Sequence, residues 1–318
     1  MVSVAEESVL KVSVPLYTAI ILFEMLLSNW QMKRYYSGKE TLMNVYMTLL
    51  NMGVDVLFRG IYLVALFWGY ELRWVEPLTN PFLYWVLLFL LEDFAFYLEH
   101  LIDHSSRLFW AVHVTHHSST EFNLTTGFRS SVLQPLYRFV YFLPIVFLGF
   151  NPMDILLMFS ITQIYGILVH TQFISKMPAW FEAVFVSPSH HRVHHASNIL
   201  YLDKNMGMVL IIWDKLFGTF QKEEDRVPAV FGITKMPEDP YHPVRGITHE
   251  FEDMISDFRK GKNWREKLGY VFMPPGWSPD GDSLTTRALQ RRLKENEGNI
   301  PVPEKEEMED ELLPEYSS

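Results

Sequence analysis

Between residues 12 and 170 the chain carries apolar runs too long for the core helices of a water-soluble domain. A helix needs about 18 or more apolar residues to cross a bilayer, and in hydrocarbon its backbone must satisfy its own N–H and C=O groups. Residues 12–29 form the first such run. Residues 41–70 form the second, interrupted by Asp55 and Arg59, whose i, i+4 spacing lets them pair on one helix face. Residues 81–98 form the third. Residues 135–150 and 153–169 flank Asn151-Pro152 as a hairpin of shorter runs, each slightly under the length of a full span. The expectation is an all-α fold: a multi-pass transmembrane helical bundle of about four spans with a histidine-rich cytosolic cap.

Charge sets the orientation and the ends. The loop 31–40 carries Lys33, Arg34 and Lys39, which places it on the cytoplasmic side by the basic-loop bias. Counting spans from there brings every histidine-bearing loop to that same face. Residues 1–7 lack the basic start of a cleaved signal peptide, so the first run reads as a retained helix. The chain divides into an N-terminal tail (1–10), N-terminal membrane helices (11–79), a central domain (80–220), a cytosolic extension (221–300) and an acidic tail (301–318) expected to be disordered. Residues 176–187 read as a short interfacial helix presenting Trp180, Phe181, Val184 and Phe185 to lipid. No basic patch points to nucleic acid. With no Cys, disulfides, cysteine-bound iron–sulfur clusters and haem-thiolate iron are excluded.

The histidines carry the chemistry. Of 12 His, 10 lie between positions 100 and 195. His100 and His104 make HxxxH; His113, His116 and His117 make HxxHH; His191, His194 and His195 make a second HxxHH, preceded by His190. On a helix, positions i, i+3 and i+4 share a face, so each cluster aims imidazoles at one point. Imidazole suits iron, zinc and copper. Eight or nine imidazoles exceed the six positions of one octahedral ion, so two metals with four or five nitrogens each are expected. His170 stands at the end of the fifth run, where it reaches the same face, and joins the candidate ligands. His190 points about 100° from His191 on a helix and is a ligand or a neighbour of one. Metal-bound imidazoles usually donate their other N–H to a carboxylate or carbonyl. Asp93 lies in an apolar run on one face with Tyr97, His100 and His104, and Asp203, Asn205 and Asp214 follow the last cluster. Each is a candidate orienting partner. Arg129 and Arg192 are candidate head-group contacts.

The order and spacing of HLIDH, HVTHH and HRVHH, followed by NMGMVLIIWDKLFGTF (205–220), resemble the fatty acid hydroxylase/sterol desaturase superfamily of membrane di-iron enzymes over residues 80–220. EFNLTTGFRSSVLQ (121–134) and SPSHHRVHHASN (187–198) look most like its alkylglycerol monooxygenase branch and the bacterial relatives of that branch. The resemblance implies that His100, His104, His113, His116, His117, His191, His194 and His195 bind two irons, with His170 and His190 in the same site. It implies an oxidoreductase that uses O2 and external electrons to hydroxylate, or desaturate, a lipid C–H bond. In alkylglycerol monooxygenase a Glu follows the second His of the first box; here that position is Ser105, which argues against a tetrahydrobiopterin requirement. No segment resembles a fused cytochrome b5 domain or a nucleotide-binding glycine fingerprint, so a separate electron-transfer protein or a diffusible reductant is expected.

The implied setting is an integral membrane protein of the bacterial inner membrane or endoplasmic reticulum, with its metal site facing the cytoplasm and a lipid as substrate. A His-lined metal transporter predicts ionisable groups deep within several spans. A zinc-dependent hydrolase predicts fewer ligands and a nearby general base, and a non-catalytic membrane protein would keep the metals for stability alone.

Overall fold

The computed structural model describes residues 4–295, in which the secondary structure is helical, without strands and with isolated bridges at Phe185–Leu210 and Ala196–Phe231. Among the described residues, three helices are long and apolar enough to cross a membrane: α1 (Val4–Trp30), α2 (Gly38–Glu71) and α3 (Pro81–Ser105). Their starts are written locally. The Ser37 side chain caps α2 by accepting from Glu40 N, and Asn80 caps α3 by accepting from Leu83 N, with Pro81 where its missing N–H costs nothing. Their outward faces are apolar and uncovered: Leu16, Phe23 and Leu26 on α1, and Leu49, Val56, Leu57, Ile61 and Val64 on α2. In water each such side chain would forgo about 1.5–3 kcal/mol of burial; hydrocarbon removes that penalty. Asp55 and Arg59 pair on α2 as their spacing predicts, Arg59 Nη2 lying 2.7 Å from Asp55 Oδ2.

The expectation of about four spans resolves into these three helices and a shorter hairpin, α5 (Phe139–Phe147) and α6 (Pro152–Leu168), preceded by α4 (Arg107–His117). Residues 134–136 turn as a 3₁₀ helix around Pro135, which lacks the N–H a continuous helix needs, so α5 starts late. At 9 residues α5 is about 14 Å long, half a bilayer core. It packs against the other helices through Leu66 of α2, Leu88 and Ala95 of α3, Ile145 and Val146 of α5, and Ile155 of α6.

Short helices complete the cap: α7 (Ala179–Val184), α8 (Pro188–His194), α9 (Ile212–Phe217), α10 (Arg245–Lys260), α11 (Trp264–Phe272) and α12 (Thr286–Glu295). α7 falls in the stretch read as interfacial, and Trp180 on it is 70% exposed. α1 begins inside the segment read as an N-terminal tail, because its apolar helix extends back to Val4. The acidic tail 301–318 lies outside the described residues.

One end of the bundle is tied together by buried polar contacts. Glu40, at the start of α2, accepts from Ser119 Oγ (3.0 Å), Thr120 Oγ1 (3.1 Å) and Arg129 Nη1 (3.1 Å), and Tyr241 Oη of the extension reaches it at 3.2 Å. Glu24 of α1 accepts from Tyr36 Oη and Thr171 Oγ1, each at 2.6 Å. The histidine-bearing segments are thereby gathered at the end where α1 stops, α2 starts and α3 stops.

Candidate metal centre

Nine histidines form two adjoining groups. His100, His104, His113, His117 and His194 make one, and His116, His170, His191 and His195 the other; within each group one nitrogen per ring lies within 4.8 Å of all the rest. Local geometry explains the division. α3 ends with HLIDH, and α4 brings His113 and His117 round on one face while His116, one position off, turns to the second group. α8 does the same with His194 on one side and His191 and His195 on the other. His170 arrives from the end of α6. The rings of His117 and His195 stack at 4.5 Å between the groups.

The outer nitrogens fix the inner ones. Nδ1 of His100 meets Met206 O (2.8 Å), that of His116 meets Arg129 O (2.7 Å), that of His170 meets Gly166 O (2.6 Å) and that of His194 meets Lys204 O (2.9 Å). A carbonyl only accepts, so each of these Nδ1 atoms donates and its Nε2 carries a lone pair. His104 Nδ1 lies 3.0 Å from Asp203 Oδ1, and His113 Nδ1 lies 3.2 Å from Ser131 Oγ. Burial pushes the imidazoles of His113, His117, His170, His191, His194 and His195 well below the ordinary histidine range, and that of His116 down to about 4. All are neutral at pH 7, the form that binds metal.

The donor set fits metal ions. His170 Nε2 faces His191 Nε2 at 2.9 Å and His195 Nε2 at 3.1 Å, although it has one lone pair. His100 and His113 meet through Nε2 at 3.0 Å. Nitrogens bound at about 2.1 Å to one ion at right angles stand about 3.0 Å apart, the spacing seen here. Nε2 of His104 and of His194 are buried without a partner. One cation shared within each group would satisfy all of these.

Close approach at the second group depends on two glycines. A Cβ on Gly127 would meet His170 Nδ1 and the Ile167 backbone at 3.1 Å, and one on Gly166 would fall 2.3 Å from Met208 Sδ.

Other candidates land elsewhere. His190 belongs to neither group. Its Nδ1 accepts from Ser187 N (3.3 Å), closing the capping box of α8, and its ring sits against Phe220. Asp93 accepts from Val209 N (2.9 Å), Leu210 N (3.1 Å) and Trp213 Nε1 (2.9 Å), so it organises the segment after the last cluster instead of a histidine. Asp214 accepts from Met206 N (2.7 Å) and Gly207 N (2.9 Å), which acts on His100 through the Met206 carbonyl. Asn205 Nδ2 donates to His190 O and Gln221 O, bonding backbone instead of an imidazole. Of the four carboxylate or amide candidates, Asp203 alone bonds a ligand ring.

Both arginines read as head-group contacts have protein partners. Arg129 is 1% exposed and donates to Thr115 O, Glu40, Asn44 Oδ1 and Ser118 Oγ. Arg192 donates to Glu223 and to the carbonyls of Thr171, Ile174 and Ser175. Sequence reasoning missed Asp103, which accepts from Gln134 Nε2 (2.8 Å) and Tyr137 Oη (2.7 Å) and lies 3.7 Å from His113 Nδ1. Its place inside HLIDH is the signal that could have found it. The carbonyl partners have no signature in a residue string.

A cavity of about 800 Å³ adjoins the centre, reached by His100, His113, His116, His170 and His191. Phe96, Phe139, Phe142, Leu156, Phe159 and Met208 supply apolar wall. Val56, 71% exposed on the outer surface of α2, also borders it, so the cavity adjoins the lipid-facing side of the bundle.

Fold and site together define a helical bundle, with helices long and apolar enough to cross a membrane, that gathers two groups of histidines able to hold metal ions at one end. The chain belongs to the fatty acid hydroxylase/sterol desaturase superfamily, the Fatty acid hydroxylase family model matching residues 85–219. It is 32% identical over 278 residues to alkylglycerol monooxygenase of Homo sapiens, covering 85% of this chain and 60% of that one. The Xenopus tropicalis alkylglycerol monooxygenase is 33% identical over 271 residues (82% and 57%), and ornithine lipid hydroxylase OlsE of Rhizobium tropici is 27% identical over 151 residues (47% and 45%). The chain thus spans about 60% or less of the length of these relatives. No solved structure gives a significant match.

Proposed function

We propose that this protein is a membrane lipid oxygenase that hydroxylates, or desaturates, an unactivated C–H bond with O2 and external electrons. The observation that carries the proposal is the placement of two groups of imidazoles, five and four, beside an apolar cavity that borders the lipid-facing surface. Two irons are the ions proposed, and bound there they supply the redox chemistry that activates O2. The relatives' names (alkylglycerol monooxygenase, ornithine lipid hydroxylase) support a lipid substrate.

The chain's residues do the rest. The aromatic and aliphatic walls admit a hydrocarbon segment and exclude water, and the carbonyl acceptors on Nδ1 hold the rings of His100, His116, His170 and His194 in the ligating tautomer. Asp203 orients the His104 ring through its hydrogen bond. Ser105 offers no carboxylate after the second His of the first box, and on that ground the proposed reductant is one other than tetrahydrobiopterin. The proposed setting is the bacterial inner membrane or endoplasmic reticulum, with the metal centre on the cytoplasmic face beside the basic loop 31–40 and electrons from a separate protein. A transporter is disfavoured because the histidines converge on one buried centre instead of lining a path. A zinc hydrolase is disfavoured because catalytic zinc sites keep about three protein ligands and an open position.

Metal content and reductant-dependent O2 uptake by the purified protein test the reading. Iron with O2 uptake supports it; zinc without iron and no uptake overturns it. Lipid mass spectrometry with and without the gene then separates added oxygen from lost hydrogen.

A further inference from the structure

We infer that Gln163 recognises an oxygen atom of the substrate, so that the lipid admitted to the cavity carries a hydrogen-bond acceptor away from its reacting carbon. This rests on the lipid-oxygenase reading above. α6 lines the cavity with one stripe, in which Leu156, Phe159, Ser160, Gln163, Gly166 and Ile167 follow helical spacing toward His170. Gln163 is the amide on that stripe, and its Nε2 is buried with no hydrogen-bond partner.

Its polar neighbours are satisfied within the protein. Ser160 Oγ donates to Leu156 O (2.9 Å) and Asn51 Nδ2 to Ser131 O (2.8 Å). Arg138 Nε donates to Glu99 (3.1 Å), and Arg59 pairs with Asp55. A buried donor without an acceptor destabilises a fold, whereas one facing a ligand cavity is satisfied when the ligand brings the acceptor. An apolar residue at this position would suit a cavity built for plain hydrocarbon.

The position sets a ruler. Gln163 precedes His170 by seven residues, about 10 Å at the rise of a helix, with α6 ending at Leu168 just before it. An acceptor seated at Gln163 therefore fixes which carbon reaches the metal centre, and the preferred acceptor lies near that distance from the oxidised carbon. Asp55 and Arg59 of α2 border the same cavity and lend it a polar surface inside the membrane, where ionised groups are costly and mark functional paths.

The test compares two probes of equal chain length, an n-alkane and a dialkyl ether, on the metal-loaded full chain in lipid nanodiscs. Probe retained per chain is measured by mass spectrometry for wild type, Gln163→Leu and Gln163→Met. Losing one neutral hydrogen bond should lower ether retention by about threefold to tenfold in both variants while alkane retention is unchanged. The melting temperature of the probe-free variants should not fall, since they remove an unsatisfied donor. Moving the ether oxygen along the chain should give a wild-type optimum that both variants lose. Equal loss of both probes, or no loss of ether, overturns this inference alone. Failure of wild type to retain either probe overturns the lipid reading and this inference with it.

Discussion

Glu40→Ala tests how the metal centre is held. Glu40 is 2% exposed and its carboxylate receives Ser119, Thr120, Tyr241 and the guanidinium of Arg129, itself 1% exposed. Removing the carboxylate leaves a buried cation without its counter-charge, a change that costs about 3–5 kcal/mol when one partner of a buried pair is deleted. At roughly 2–4 °C per kcal/mol for a chain somewhat smaller than this one, the melting temperature should fall by about 6–20 °C. Glu40→Gln, which keeps the shape and one of the two acceptor oxygens, should cost less. Glu40→Ala combined with Arg129→Met should be less destabilised than the sum of the two single changes, because neither charge is then stranded. The effect should also reach one metal group first. Arg129 O holds His116 Nδ1 at 2.7 Å, so loosening this segment should empty the four-histidine group before the five-histidine group. Scanning fluorimetry with metal analysis reads both. A melting temperature within about 1 °C of wild type in Glu40→Ala would refute the reasoning.

Asp203→Asn should weaken metal binding at the five-histidine group by about 10- to 100-fold, measured by titration against a competing chelator. His170→Ala should lose metal from the four-histidine group, whereas His190→Asn should keep full metal content by elemental analysis, since His190 caps its own helix. Metal-free protein should be acid-labile. Burial holds His116 at about 4 in the folded state, while a free imidazole titrates near 6.5, so the unfolded chain takes up the proton first. This contribution to stability is full above about pH 6.5 and is lost as the pH falls toward 4, a slope that denaturant midpoints across that range would show. Gly127→Val should lower metal content at the four-histidine group, because a side chain there meets His170 Nδ1 and the Ile167 backbone at 3.1 Å.

The long apolar helices, the i, i+4 pairing of Asp55 with Arg59 and the three histidine boxes are legible in the residues alone. These rest on short-range periodicity: 3.6 residues per turn decides which neighbours share a face. Five and four imidazoles follow from counting, but which ring joins which group does not. His116 and His117 are adjacent in the chain and separate because α4 turns them about 100° apart between two packed partners. His190 sits beside His191 and leaves the centre because its nitrogen closes the cap of α8. Asp93 looked like an orienting carboxylate from its helix face; the fold gives it the backbone of Val209 and Leu210 instead. The acceptors that fix four of the nine tautomers are carbonyls of Met206, Arg129, Gly166 and Lys204, which every residue type offers equally. Tertiary structure alone decided those partners, and with them the cavity, because both depend on segments far apart in the chain meeting at one end of the bundle.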